Sequence, residues 1–401
     1  MRILFLDHPQ HTHGTWTLHQ GLGRVLGWES VVDFPSKETF RGKDHRLISD
    51  PNFRKLYQVV RSKALPSGIP PFAPGEELVS VPVIERREIG AHHQCTPQRR
   101  HSWHEITSNI RSFDLIILGN SHRVPTLTLA LLRDQFGRNN LPPIVYFDAG
   151  ERDELNAHWW HVFRPEMTFK QILTPAVAAK PNAACILYPL PLANAVVTNA
   201  DIMQACNVGA PKVRDILFHH GITWEPREGV LQTVRNWLQA TGLSGAENTW
   251  KGGEDYFAAI ANSRMALSIR GSGRDTTRYW EIPALETLLV ADGTMGCIHT
   301  FPFRDGETAA FYSSLEELTS KLDFYHHNEE ARQTVARAGR SWAERYHSFE
   351  ARGLFFLGMV RKHLGVKYTD EQQQRVNGWL SRLGWPQELP DWSGPVVGYE
   401  A

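Results

Sequence analysis

Met265-Ala266-Leu267-Ser268-Ile269 leads into Arg270-Gly271-Ser272-Gly273-Arg274-Asp275-Thr276-Thr277-Arg278-Tyr279-Trp280-Glu281, and Leu288-Leu289-Val290-Ala291 follows soon after. The first and last runs are short and almost wholly apolar. That composition marks strands buried on both faces, as in a parallel sheet covered by helices. Between them a polar glycine loop enters a short helix. Strand, loop, helix and strand in this order make one α/β unit.

The same logic extends downstream. Ser314 with Glu317 has the spacing of a capping box and opens a helix. Asn328 is expected to cap a longer helix carrying Ala331, Val335, Ala338 and Trp342 on one face. Upstream, Tyr256 to Ser263 reads as a helix, as does Glu228 to Ala240 with Val230, Leu231, Val234 and Leu238 aligned. Arg214-Asp215-Ile216-Leu217-Phe218 reads as a strand that runs out into His219-His220-Gly221.

The first half repeats the pattern. Arg2 to Leu6 reads as a strand, followed by the histidine-rich loop Asp7 to Gly14 and a helix over Trp16 to Leu26. Val31 to Phe34, Phe113 to Gly119, Pro142 to Asp148 and Cys185 to Leu190 supply further strands, with a helix near Leu127 to Phe136. In parallel sheets, ligands collect beyond the carboxyl ends of the strands. Asp7 to Gly14, Asn120 to Arg123 and Asp148 to Asp153 therefore belong to one edge.

The chain has 401 residues, enough for two cores of roughly 150 to 200 residues each. The sequence predicts an N-terminal Rossmann-like domain over residues 1–195, with an irregular insertion near 35–105. A C-terminal Rossmann-like domain is expected over 196–350. Residues 351–401 form a crossover helix and a tail that pack back on the first domain. Lys plus Arg and Asp plus Glu both number 43, so the net charge is zero. That balance argues against a protein that coats nucleic acid non-specifically. Cys95, Cys185, Cys206 and Cys297 are widely spaced, as expected of reduced thiols in a cytoplasmic protein. No run approaches 18 apolar residues, and the first strand lacks the pattern of a signal peptide.

The glycine loop carries the chemistry. Gly271 and Gly273, with Ser272, allow backbone amides to approach an anion, and the following helix start adds free N–H groups. Arg270 and Arg274 are candidates for a diphosphate clamp, because guanidinium donors match phosphate oxygens in pairs. Glu281 is a candidate acceptor for a ribose diol. A plainer reading pairs Arg278 with Glu281 on a helix surface, worth about 0.2–0.5 kcal/mol. The loop is neither a Walker motif nor a clean GxGxxG fingerprint. His219 and His220 are placed to flank a base after the strand at 214–218, with Gly221 in the turn.

Arg278-Tyr279-Trp280-Glu281-Ile282-Pro283-Ala284-Leu285-Glu286-Thr287-Leu288-Leu289-Val290 resembles the donor-site segment of bacterial family-1-like glycosyltransferases, and most nearly the subgroup related to the spore maturation protein CgeB. Leu315-Glu316-Glu317-Leu318, Ala338-Gly339 and Tyr346-His347-Ser348-Phe349 are similar to the C-terminal helices of that family. Asp215 to Gly221 resembles the opening of its nucleotide domain, and Ile144 to Gly150 its Asp-Gly turn. The resemblance implies a GT-B fold, two domains facing a central cleft. It also implies a nucleoside-diphosphate sugar as co-substrate, UDP-sugars favoured, with Glu281 on the ribose and Arg278 in the donor pocket. Glu286 departs from the family, which has glycine there; a carboxylate beside a diphosphate is unfavourable unless it points away or is paired.

Sugar transfer requires stabilisation of the leaving diphosphate, a task for Arg270, Arg274 and the loop amides. No Asp-x-Asp motif lies near the loop, so transfer without a metal is the simpler expectation. His8, His11 and His13 have a spacing that permits a metal, but a proline-containing loop without cysteines is not a prepared zinc site. An inverting reaction needs a base from the first domain. Asp148 is the first choice, ahead of His13, His11 and Glu151. The acceptor is a hydroxyl on a glycan, a lipid-linked sugar, a small metabolite or modified DNA. A nucleotide-sugar epimerase or hydrolase, and a non-catalytic carbohydrate-binding protein on the same fold, remain the competing readings.

Overall fold

The computed structural model describes residues 1–7, 13–34, 101, 103–119, 123–150, 154, 162–179, 186–193, 203–204, 206–218, 226–247, 254–271, 273–293 and 296–386. The insertion expected near 35–105 lies almost wholly outside them, as does the tail beyond residue 386.

The first half runs β1 (Ile3–Leu6), α1 (His13–Leu26), β2 (Val31–Phe34), α2 (Trp103–Ser108), β3 (Leu115–Gly119), α3 (Arg123–Phe136), β4 (Ile144–Asp148), β5 (Met167–Lys170), α4 (Pro175–Ala178) and β6 (Ile186–Pro189). Its six strands are all parallel, in the order β2-β1-β3-β4-β5-β6. Every residue of β1 to β5 is buried. Burial on both faces explains the unbroken apolar runs, since alternation would mark a sheet with one wet face.

The second half runs β7 (Arg214–Leu217), α5 (Pro226–Thr241), β8 (Gly245–Ala246), α6 (Glu254–Ala261), β9 (Ser263–Ser268), α7 (Thr277–Ala284), β10 (Leu288–Asp292), β11 (Ala310–Tyr312), α8 (Leu315–His327) and α9 (Glu329–Tyr346). Its parallel sheet has the order β11-β10-β9-β7-β8. In each sheet the chain lays its second strand on one side of the first and its third on the other. A crevice therefore opens at the carboxyl ends of β1 and β3, and another at those of β7 and β9.

Two caps differ from the reading of the sequence. Ser314 does accept the Glu317 N–H, but the Glu317 carboxylate turns to the backbone and hydroxyl of Ser313 instead of closing a reciprocal box. Asn328 makes no side-chain cap for α9; its amide donates to the Phe324 carbonyl that ends α8. Helix C-terminal carbonyls compete for the same side chain, and here they win.

After α9 the chain returns through α10 (Phe349–Leu364) and α11 (Asp370–Leu383) to the first domain. Leu354, Phe355, Phe356, Met359 and Val360 join a core with Phe5, Leu22 and Phe169. Gly21 of α1 and Gly353 of α10 let the helices meet almost backbone to backbone. A Cβ added at Gly21 would lie 2.1 Å from the Phe349 carbonyl oxygen. Trp379 of α11 donates its indole N–H to the Arg24 carbonyl at 3.2 Å. Two α/β domains facing a cleft, with the C-terminal helix laid on the first, make the expected GT-B architecture.

The joint between the domains is polar and buried. Arg352, 1% exposed, donates to the Leu192 carbonyl at 3.1 and 3.3 Å, to the Thr300 hydroxyl at 2.9 Å and to the Tyr346 carbonyl at 3.2 Å. It also meets His347 Nδ1 at 2.9 Å, and its guanidinium stands over the Trp280 ring. The chain leaves the first domain near Leu192 and comes back near Arg352, so one side chain ties both crossings.

Candidate functional site

The crevice between β7 and β9 opens onto the glycine loop singled out in the sequence. β9 ends at Ser268, whose hydroxyl lies 3.0 Å from that of Thr276, just before α7. This contact draws the two ends of the glycine loop together. Within the loop the Gly271 N–H donates to the Gly273 carbonyl at 3.0 Å. Asp275 anchors the loop from below: it accepts the Trp280 indole N–H at 2.7 Å and the Leu192 backbone N–H at 2.8 Å. The glycine loop is thereby fastened to the segment leaving the first domain. Arg270, Arg274 and Arg278 are half-buried around it.

One cation at this crevice escaped the sequence reading. Arg227, in the first turn of α5, is 4% exposed. Its guanidinium donates to the Arg270 carbonyl at 2.8 Å and the Ile269 carbonyl at 3.2 Å. Burial, with repulsion from Arg278, pulls its pKa down to about 10. Arg227 thus braces the exit of β9 and concentrates positive charge there. Pro226-Arg227-Glu228 reads locally as an ordinary helix start; only the pairing of β7 with β9 brings it to the loop.

Glu281 is half-buried on α7 and accepts the Tyr256 hydroxyl at 3.0 Å. That bond orients the carboxylate from α6. Glu286 sits in the left-handed region, φ 55°, and pairs with Arg340 at 2.8 Å. It precedes the amino end of β10, whereas the glycine loop follows the carboxyl end of its parallel neighbour β9. Six residues of strand at about 3.3 Å each put roughly 20 Å between these edges. Both conditions that would spare a diphosphate from Glu286 are met: the residue lies at the opposite edge and is paired with Arg340 there.

In the first domain, Asp148 ends β4 beside Lys170, which ends β5; the carboxylate and ammonium are 3.0 Å apart and both buried. Burial raises the Asp148 pKa against the pull of Lys170 and of the Gly150 N–H, which donates to it at 3.2 Å. α1 begins at His13 next to this strand end. A Cβ added at Gly14 would fall 2.9 Å from the Ala149 methyl and 2.5 Å from the Gln171 amide oxygen. His11, Glu151, His220, Gly221 and Ser272 lie outside the described residues, as does the side chain of His13. So do His8 and His219. Among the described residues no group of three His, Cys, Asp or Glu could hold a metal ion, and no helix is long and apolar enough to cross a membrane.

Residues 221–358 match the family model described as glycosyl transferase-like. A glycosyltransferase from Rickettsia africae superposes with a TM-score of 0.51 at 9% identity, over 91% of this chain and 99% of that one. Anabaena HepE, solved in complex with UDP and glucose, gives a TM-score of 0.50 at 11% identity, over 90% of this chain and 100% of that one. No curated protein sequence matches the chain. The fold is GT-B.

Proposed function

We propose that this GT-B protein transfers a sugar from a nucleoside-diphosphate donor to a hydroxyl acceptor without a metal ion. The observation that carries the reading is the concentration of Arg227, Arg270, Arg274 and Arg278 around a glycine loop at the β7–β9 crevice, with Glu281 held by Tyr256 alongside. Guanidinium groups and loop amides provide what a departing diphosphate needs: fixed positive charge where negative charge develops. Glu281 takes the ribose hydroxyls. His220, Gly221 and Ser272 are assigned to the same nucleotide site. HepE, of the same fold, was solved with UDP and glucose, which supports a UDP-sugar as donor.

The donor half is assigned to residues 196–350, the acceptor half to 1–195 and the returning segment to 351–401. Kinship with the CgeB-related subgroup and a cytoplasmic site of action are part of the same reading. For an inverting reaction we assign the base to the start of α1 and the exit of β4. Asp148 is buried and ion-paired, which suits it to hold the exit loop through Gly150. Asp148 is the first choice for that base, with His13, His11 and Glu151 as the further candidates.

The test is titration of UDP into the wild type, Glu281→Ala and Glu371→Ala, the last an exposed residue on α11. Glu281→Ala is expected to weaken UDP at least tenfold and Glu371→Ala to leave it unchanged. Equal affinities for all three proteins would overturn the ribose assignment. Incorporation of label from a panel of nucleotide sugars, followed separately from nucleotide release, tests transfer itself.

A further inference from the structure

A cavity of about 520 Å³ opens at the amino-terminal edge of the second sheet, opposite the glycine loop. Lys212 enters it from the segment before β7, Arg264 from β9 and Glu286 from the turn before β10. Glu329, Arg332 and Arg337 enter from the first turns of α9. The carboxylates are already held. Glu329 is gripped by Arg332 and Arg264, and Glu286 by Arg340 at 2.8 Å. Arg264 also pairs with Asp215 at 3.1 Å.

Lys212 and Arg337 differ. Among the described residues neither forms an ion pair. Lys212 Nζ donates to the Ala261 carbonyl at 2.7 Å and the Leu285 carbonyl at 3.5 Å, and Arg337 donates to the Gln333 amide oxygen at 2.5 Å. Two positive charges therefore remain at the cavity after its carboxylates are neutralised. A half-buried ammonium in this setting is costly: burial, reinforced by Arg332 and Arg340 and opposed by Glu286, brings the Lys212 pKa down to about 8. An anion in the cavity would relieve that cost.

We propose that this cavity is a second binding site, for a phosphorylated small molecule of sugar-phosphate size whose phosphate is held by Lys212 and Arg337. The volume lies within the range of about 300–1,000 Å³ typical of small-molecule sites. A guanidinium offers paired donors to phosphate oxygens and an ammonium adds a point charge. The occupant sits across the sheet from the β7–β9 crevice, so it does not compete with nucleotide.

The experiment is calorimetric titration of glucose 6-phosphate, inorganic phosphate and glucose into protein saturated with UDP. Glucose 6-phosphate is expected to bind at one equivalent, inorganic phosphate at least tenfold more weakly, and glucose not at all. Arg337→Gln, on an exposed turn, and Lys212→Met are each expected to weaken glucose 6-phosphate at least tenfold. The proposal is overturned if glucose 6-phosphate gives no binding on the saturated protein, if inorganic phosphate binds as tightly, or if both variants bind like the wild type. The comparison among variants holds whether or not UDP itself binds.

Discussion

At the residue scale, His299 and His347 show what burial does to a titrating group at the domain joint. Burial, with the Arg352 charge close by, lowers His299 to about 3 and puts His347 well below the ordinary histidine value. Among the described residues neither ring nitrogen of His299 has a hydrogen-bond partner. Both rings stay neutral in the folded protein, while the unfolded chain takes up their protons near pH 6.5. Stability is therefore complete above about pH 6.5 and falls as the pH drops from there toward 3. Urea unfolding at pH 7, 6, 5 and 4 is expected to show this decline, and His299→Phe to make it shallower. A variant with the pH dependence of the wild type would refute the account. Arg227 carries a second lesson at this scale. Its role is invisible in its neighbours, because the carbonyls it binds lie at the exit of a strand some forty residues later.

At the element scale, the decisive feature is the α7–β10 turn. Glu286 holds a left-handed conformation that glycine adopts at no steric cost, so Glu286→Gly removes strain of about 1 kcal/mol. It also removes a part-exposed ion pair with Arg340, worth about 0–1 kcal/mol after screening. The two effects nearly cancel. Urea unfolding is expected to shift by less than about 1 kcal/mol, and UDP affinity to stay within twofold of the wild type. A large fall in UDP affinity would contradict the placement of Glu286 at the far edge of the sheet. Long apolar elements such as β3, β4, β9 and β10 were legible because burial on both faces leaves a continuous run. Met167–Lys170 and Ala310–Tyr312 were not read as strands: Thr168 and Lys170 break any apolar run in the first, the second has three residues, and pairing with β4 and β10 defines them.

At the scale of the whole molecule, Leu192 is a shared point. Its N–H goes to Asp275 in the glycine loop and its carbonyl to Arg352 at the returning helix. Asp275→Ala would leave two buried donors unsatisfied and remove an anion that supports the Arg352 charge. Breaking a buried charge network of this kind costs about 3–5 kcal/mol. A loss of that size in urea unfolding is expected, while a loss under about 1 kcal/mol would show that the joint does not depend on Asp275. Asp275→Asn keeps the shape but exchanges an acceptor for a donor, and should fall between the two.

The order of strands and helices, the glycine loop and its arginines were written in local pattern, because burial on both faces of a strand and the backbone freedom of a glycine turn both constrain adjacent residues. The return of the C-terminal helix was also foreshadowed by its apolar stretch from Leu354 to Val360. Tertiary structure alone decided which edge of the sheet each side chain serves. It placed Glu286 away from the glycine loop, brought Arg227 to it, buried Asp148 against Lys170 and gathered Lys212 with Arg337. The reason is that strand pairing sets position across the sheet through backbone hydrogen bonds, which every residue type makes alike and no local composition records.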